Sequence, residues 1–93
     1  MSVPGEPYTL IVARSAARAL ERTLPEKVAA AVYEFITGPL LENPHRVGKE
    51  LAPPLAPAYS ARRGSYRVLY LIDENTRQVR VTAISHRADA YRI

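Results

Sequence analysis

The side chains with the most chemistry to offer are arginines and tyrosines in the last third of the sequence. Residues 58–93 hold Arg62, Arg63, Arg67, Arg77, Arg80, Arg87 and Arg92 against only Asp73, Glu74 and Asp89. The first 57 residues balance six basic against six acidic side chains, so the whole net charge of +4 arises beyond them. A guanidinium grips phosphate through two parallel N–H donors, stacks on bases and stays charged. A polyanion is the partner that this distribution fits. A solvated basic face, in a protein that uses arginine wherever lysine would serve, accounts for the composition equally well.

Other chemistries are poorly supplied. There is no cysteine, which excludes disulfides and thiolate metal sites. His45 and His86 give no metal-ligand spacing, and no carboxylate pair or phosphate-cradling glycine loop is present. Tyr59, Tyr66 and Tyr70 can stack on bases, although strand alternation suits Tyr66 and Tyr70 better to the core or sheet face. No apolar run is long enough to span a bilayer. The first seven residues lack the basic start and apolar stretch of a signal peptide, so a cytoplasmic location is expected. A length of 93 residues with 47% apolar side chains fits one globular domain, 1–93, with residues 1–7 flexible.

These residues need a scaffold, and the pattern predicts one. Tyr8–Ala13 is β-branched and aromatic and reads as a strand. Ser15 suits the cap of a short helix, Ala16 to Arg22. Thr23-Leu24-Pro25-Glu26 has capping-box spacing with a proline in the first turn, so a second helix starts there. Leu24, Val28, Val32, Phe35 and Ile36 form its apolar stripe, and Gly38-Pro39 ends it. Residues 43–58, with four prolines, read as a long loop tacked down by Val47, Leu51 and Leu55. Three strands follow: Tyr59–Arg63, Tyr66–Asp73 and Gln78–His86, with turns at Gly64-Ser65 and Asp73–Thr76. The order β-α-α-β-β-β implies an α+β domain, a four-stranded, mostly antiparallel sheet with a helical hairpin on one face. The other face is open, and the arginines can line it.

Arg62-Arg63-Gly64-Ser65-Tyr66-Arg67-Val68-Leu69-Tyr70, followed by His86-Arg87-Ala88-Asp89-Ala90-Tyr91-Arg92, resembles the RelE family of bacterial toxins. That family shows an Arg, a Gly and Tyr-Arg-Val-x-Tyr on one strand, then His-Arg-x-x-x-Tyr-Arg at the C-terminus. Leu24-Pro25-Glu26-Lys27 and Asn43-Pro44 fit as well, and the resemblance runs from Tyr8 to Arg92. It implies a ribosome-dependent messenger-RNA endonuclease without metal or other cofactor, silenced by an antitoxin encoded beside it. The superfamily also holds a ParE-like branch that poisons DNA gyrase on the same fold, and fold does not settle function.

Cutting RNA without a metal requires a proton taken from the 2′-hydroxyl, charge stabilisation at phosphorus and a proton given to the 5′-oxygen. The resemblance implies that Arg67 holds the scissile phosphate and that Arg87 stabilises phosphate charge and leaving group. It gives Tyr91 a general-base or base-stacking role, whereas anchoring the tail is the plain alternative. Arg62 and Arg63 stand where well-known members carry lysines. A guanidinium is a poor base, so Arg62 and Arg63 do not supply the lysine-based proton abstraction of those members. Tyr91 or His86 is the candidate to move a proton instead, and Lys49, in the loop, is the one lysine that could compensate. His86 neighbours Arg87, and neighbours on a strand point to opposite faces unless the strand ends or bulges. Arg63, Arg80 and Arg92 are expected to contact RNA. His45 is expected to be solvated.

The partners implied are a RelB-like antitoxin, messenger RNA in the ribosomal A site and the ribosome, with no membrane. An acidic or amphipathic antitoxin segment suits the arginine face. A gyrase inhibitor and a catalytically degenerate RNA-binding member are the competing readings.

Overall fold

The computed structural model describes residues 7–86. These residues form a five-stranded sheet in the order β1-β5-β4-β3-β2, with helices on one face. β1 (Thr9–Val12) runs parallel to β5 (Gln78–His86), while β4 (Tyr66–Asp73), β3 (Tyr59–Arg63) and β2 (Lys49–Glu50) follow antiparallel. The α+β class and mostly antiparallel sheet are as the pattern predicts. The fifth strand is β2, a two-residue strand too short to show periodicity.

The first helix, α1, is Arg14–Arg18, and a π-helical turn, Ala19–Thr23, continues it. Ser15 does not cap it. Its hydroxyl donates instead to the Thr82 carbonyl at 2.8 Å, fastening α1 to β5. The second helix, α2, is Glu26–Thr37, entered through Pro25 with no side-chain cap, so the capping box expected from Thr23 is not formed. Val32, Phe35 and Ile36 bury its stripe, and Leu24 and Val28 pack partly buried against the same core. Across the sheet this core takes Ala61, Val68, Tyr70, Val79, Val81 and Ile84.

Residues 43–58 are more ordered than a loop. After α3 (Pro39–Glu42), a one-turn helix α4 (Pro44–Val47) leads through Gly48 into β2. The prolines at 39 and 44 begin these short helices, where a missing N–H costs nothing. Val47 packs on the core as expected and Leu51 is half-buried, but Leu55 is exposed.

A β-bulge breaks the register of β4 and β5. Leu69 pairs with Ala83 and Tyr70 with Val81, leaving Thr82 as the extra residue. Its hydroxyl donates to the Leu69 carbonyl at 3.2 Å, so the interrupted ladder stays partly satisfied. A bulge reverses which side chains face which way. Val79 and Val81 are buried before it and Ile84 after it, while Ser85 is turned to the open face opposite Arg67.

Two turns complete the frame. Gly64 takes φ +62° between β3 and β4, a conformation that glycine adopts without penalty. Arg77 takes φ 50° before β5, and its carbonyl accepts from Thr9 N–H at 2.9 Å. Among the described residues, no helix is long and apolar enough to cross a membrane.

Candidate nucleic-acid interface

Pairing across β2, β3 and β4 brings the cations together. Side chains directly opposite on paired strands share a face. Lys49 pairs with Ser60, Ser60 with Leu69 and Arg62 with Arg67, so these side chains share the face away from the helices. A groove of about 500 Å³ opens there, walled on one side by Arg46 to Ala52 and on the other by Ser60, Arg62 and Arg67. Arg46, Lys49, Arg62 and Arg67 line it, and Glu50 is its one carboxylate. Arg67 is half-buried and the other three are exposed, so the guanidinium nearest the sheet centre is the most desolvated.

One wall of the groove lies close on the sheet at Gly48. A Cβ on Gly48 would stand 2.5 Å from the Tyr70 hydroxyl and 2.7 Å from the Ser60 carbonyl. Only glycine permits that approach, which carries Lys49 to the edge of β3. Arg46, Gly48 and Ser60 are parts of the site that sequence reasoning missed. For Arg46 and Gly48 the signal was present: a basic side chain on either side of a glycine, in the stretch read as a loop.

Of the expected site residues, Arg67, Arg62 and Lys49 are brought together. Arg63 is not, because it lies on the opposite face with its guanidinium 5.9 Å from the centre of the Phe35 ring. His86 is opposite Tyr66, on the face that carries the helices, and its ring meets the Tyr66 ring edge-on at 5.4 Å. The bulge at Thr82 puts it there. Arg80 is opposite Leu71, on the open face but outside the groove lining. Arg87, Tyr91 and Arg92 lie outside the described residues.

A second polar cluster adjoins the groove. The Tyr70 hydroxyl donates to the Pro44 carbonyl at 2.6 Å, and the Tyr59 ring stacks on Tyr70 at 5.5 Å. Burial, then the neighbouring Tyr59, pushes the Tyr70 phenol up to about 12. His45 is half-exposed, but it is not merely solvated as expected. Its Nδ1 is 3.2 Å from the Tyr59 hydroxyl, and its Nε2 contacts the Glu74 carboxylate. Glu74 also accepts from the Tyr8 hydroxyl at 2.8 Å. The His45 contact, then the Tyr8 hydrogen bond, holds the Glu74 carboxyl below the usual range. The Arg77 guanidinium sits 4.2 Å above the Tyr8 ring, a cation–π contact.

The arrangement can hold an extended polyanion. Four cations around one groove can together hold phosphates, and the half-buried Arg67 would interact most strongly with one. No group of three or more His, Cys, Asp or Glu side chains suited to a metal ion occurs among the described residues.

Comparison with known proteins agrees with this fold. Residues 10–91 match the family described as the ParE toxin of the type II toxin–antitoxin system parDE. Toxin RelE of Mycobacterium tuberculosis is 51% identical over 94% of this chain and 89% of its own length. Toxin RelG of the same organism is 48% identical over 92% of this chain and 98% of its own. A chain in the crystal structure of the toxin–antitoxin complex RelBE2 from M. tuberculosis superposes with a TM-score of 0.83 at 45% identity, covering 88% of this chain and 100% of that one. A mutant of the E. coli toxin RelE in the free state gives 0.72 at 20% identity, over 91% and 88% of the two chains, a likeness of fold alone.

Proposed function

The chain belongs to the RelE/ParE family of type II toxin–antitoxin toxins, and we propose that it is a metal-independent, ribosome-dependent messenger-RNA endoribonuclease. The observation that carries this reading is the register that sets Lys49, Arg62 and Arg67 around one groove with Arg46. The reading also draws on the Tyr66-Arg67-Val68-Leu69-Tyr70 strand and on relatives at about half identity that are named RelE and RelG.

In the proposed reaction the 2′-hydroxyl attacks the scissile phosphorus. The bond from phosphorus to the 5′-oxygen of the next nucleotide breaks. A 2′,3′-cyclic phosphate and a free 5′-hydroxyl remain. One proton leaves the 2′-oxygen and one is delivered to the 5′-oxygen. Arg67 holds the non-bridging oxygens and Arg62 adds positive charge as negative charge builds at phosphorus. Neither guanidinium can accept the proton. Lys49 is the groove's candidate for proton handling, together with Tyr91, and Arg87 is assigned to the leaving group. The 2′-hydroxyl requirement makes RNA the substrate. Arg63 and Arg80 are left to outlying contacts with the message or ribosome, and Arg92 is proposed as a further RNA contact.

The partners proposed are messenger RNA in the ribosomal A site, the ribosome and a RelB-like antitoxin, all in the cytoplasm. Solved relatives include complexes described as RelBE2, archaeal RelE–RelB and E. coli RelBE.

The test is induction in a bacterium with mapping of RNA 5′ ends. Codon-positioned cuts are expected, lost when Arg67→Ala is combined with Arg87→Ala in a protein that still folds. The matched family is described as a ParE toxin, which keeps gyrase inhibition as the rival. DNA damage and filamentation with intact messages would establish the rival and overturn the nuclease reading.

A further inference from the structure

Helix α4 is four residues long and has no side-chain cap. A single turn cannot hold itself in water, so its position must come from tertiary contacts. Besides Val47, which packs on the core, two adjacent residues make those contacts. The Pro44 carbonyl accepts from Tyr70. His45 lies between the Tyr8 and Tyr59 rings, with edge-on centroid distances of 6.5 and 5.8 Å, and both its ring nitrogens are engaged. Nε2–H can donate to Glu74, and Nδ1 lies within hydrogen-bond distance of the Tyr59 hydroxyl. Glu74 comes from the turn after β4, Tyr59 from the start of β3 and Tyr8 from the chain before β1. Three distant segments therefore converge on one side chain. The next residue, Arg46, lines the cationic groove, and Gly48 and Lys49 follow it.

We propose that Glu74, His45 and Tyr59 form a clamp that sets α4 against the sheet and so positions Arg46 for anion binding in the groove. His45 is then a positioning residue, not a catalytic one. His45 and Glu74 are half-exposed, with side-chain accessibilities of 48% and 54%. A polar pair so exposed adds little to global stability, so a role in stability alone is a poor account of so many contacts. The other groups facing this cluster are Tyr8 and Arg77, with Glu42 and Arg46 along the cleft beside it. The clamp spans the short connection between that cleft and the groove, since Arg46 lines both.

This inference rests on the groove binding RNA, and the experiment separates the two. The full chain is titrated with a short single-stranded RNA as wild type, His45→Ala, His45→Gln, Arg46→Ala and the His45→Ala/Arg46→Ala double variant. Backbone amide spectra of residues 46–49 are recorded for each. Residues that act through one another are non-additive. Loss of the clamp is expected to weaken binding roughly three- to tenfold when Arg46 is present and to change little when Arg46 is already alanine. His45→Gln, whose amide can still donate to Glu74, should recover part of the loss. An equal loss in both backgrounds would overturn the positioning role, as would no loss in either. If the wild type binds no RNA, the functional reading fails and the amide spectra decide the clamp. Displaced Arg46 to Lys49 resonances in His45→Ala, restored in part by His45→Gln, would uphold it; unmoved resonances would overturn it.

Discussion

Arg62 and Arg67 stand directly opposite each other across β3 and β4, on the sheet face that carries the groove. Like charges so placed repel, and a folded chain keeps such a pair at a cost in stability. Arg62→Gln is therefore expected to raise stability by about 0.2–1 kcal/mol while weakening RNA binding. Denaturant midpoints at low salt check the first half and oligonucleotide titration the second. A destabilised variant would mean that the Arg62 stem contributes more to packing than its charge costs.

Arg67→Lys keeps the charge and discards the planar fork. RNA affinity should fall roughly tenfold, which is about 1.4 kcal/mol, with the salt dependence of binding unchanged. Arg67→Ala should also flatten the plot of log affinity against log salt by about 0.7 for a single strand. Binding measured across a salt series separates the two variants.

Tyr70→Phe removes the donor to the Pro44 carbonyl and leaves that acceptor unsatisfied in a buried place. The expected loss is about 1–3 kcal/mol. A pH effect accompanies it. Burial raises the Tyr70 phenol from 10.0 to about 12, so the fold favours its neutral form. That stabilisation is complete below the ordinary value of 10.0 and is lost as pH rises toward about 12. Urea melts on either side of this window should show a steeper alkaline loss in wild type than in Tyr70→Phe.

Glu74 supplies the acid counterpart. Hydrogen bonding from His45, then from Tyr8, holds its carboxyl below the ordinary 4.5. A depressed carboxyl stabilises above its unfolded value, and the contribution fades as pH falls through the lowered folded value. Glu74→Gln should remove this part of the acid destabilisation, a small effect because the pair is half-exposed. Denaturant midpoints followed from neutral pH into acid test it.

Gly48→Ala places a methyl group 2.5 Å from the Tyr70 hydroxyl and 2.7 Å from the Ser60 carbonyl. Backbone must move to relieve the second contact. A destabilisation of about 1–3 kcal/mol is expected, as for other overpacked positions. RNA binding should weaken as well, because the same loop carries Arg46 and Lys49. Thermal melts and RNA titration check both; a neutral substitution would show that the loop is loosely seated.

Much of the frame was legible because it is written in local periodicity. The apolar stripe of α2 and the alternation of Tyr66, Val68 and Tyr70 against Arg67, Leu69 and Leu71 hold in the structure. Alternation set Arg67 on the face opposite Tyr66, Val68 and Tyr70, and the packing of the helices on Val68 and Tyr70 decided that Arg67's face is the open one. Residues 43–58 were not legible in the same way. A one-turn helix and a two-residue strand carry no period, and their order comes from Tyr70, Tyr59 and Glu74, which lie 14 to 29 residues further along the chain.

By itself, the sequence determined the longer elements, the α+β class and the presence of a basic second half, because helix and strand periods and charge counts are local properties. Tertiary structure alone decided which cations meet. Pairing of β2 with β3 carried Lys49 and Arg46 to Arg62 and Arg67, a contact between segments that share no pattern. The bulge at Thr82 sent His86 to the face away from Arg67, where strict alternation from Val81 would have put the two on one side. A single extra residue reverses every side chain after it, and only the partner strand determines where that residue falls.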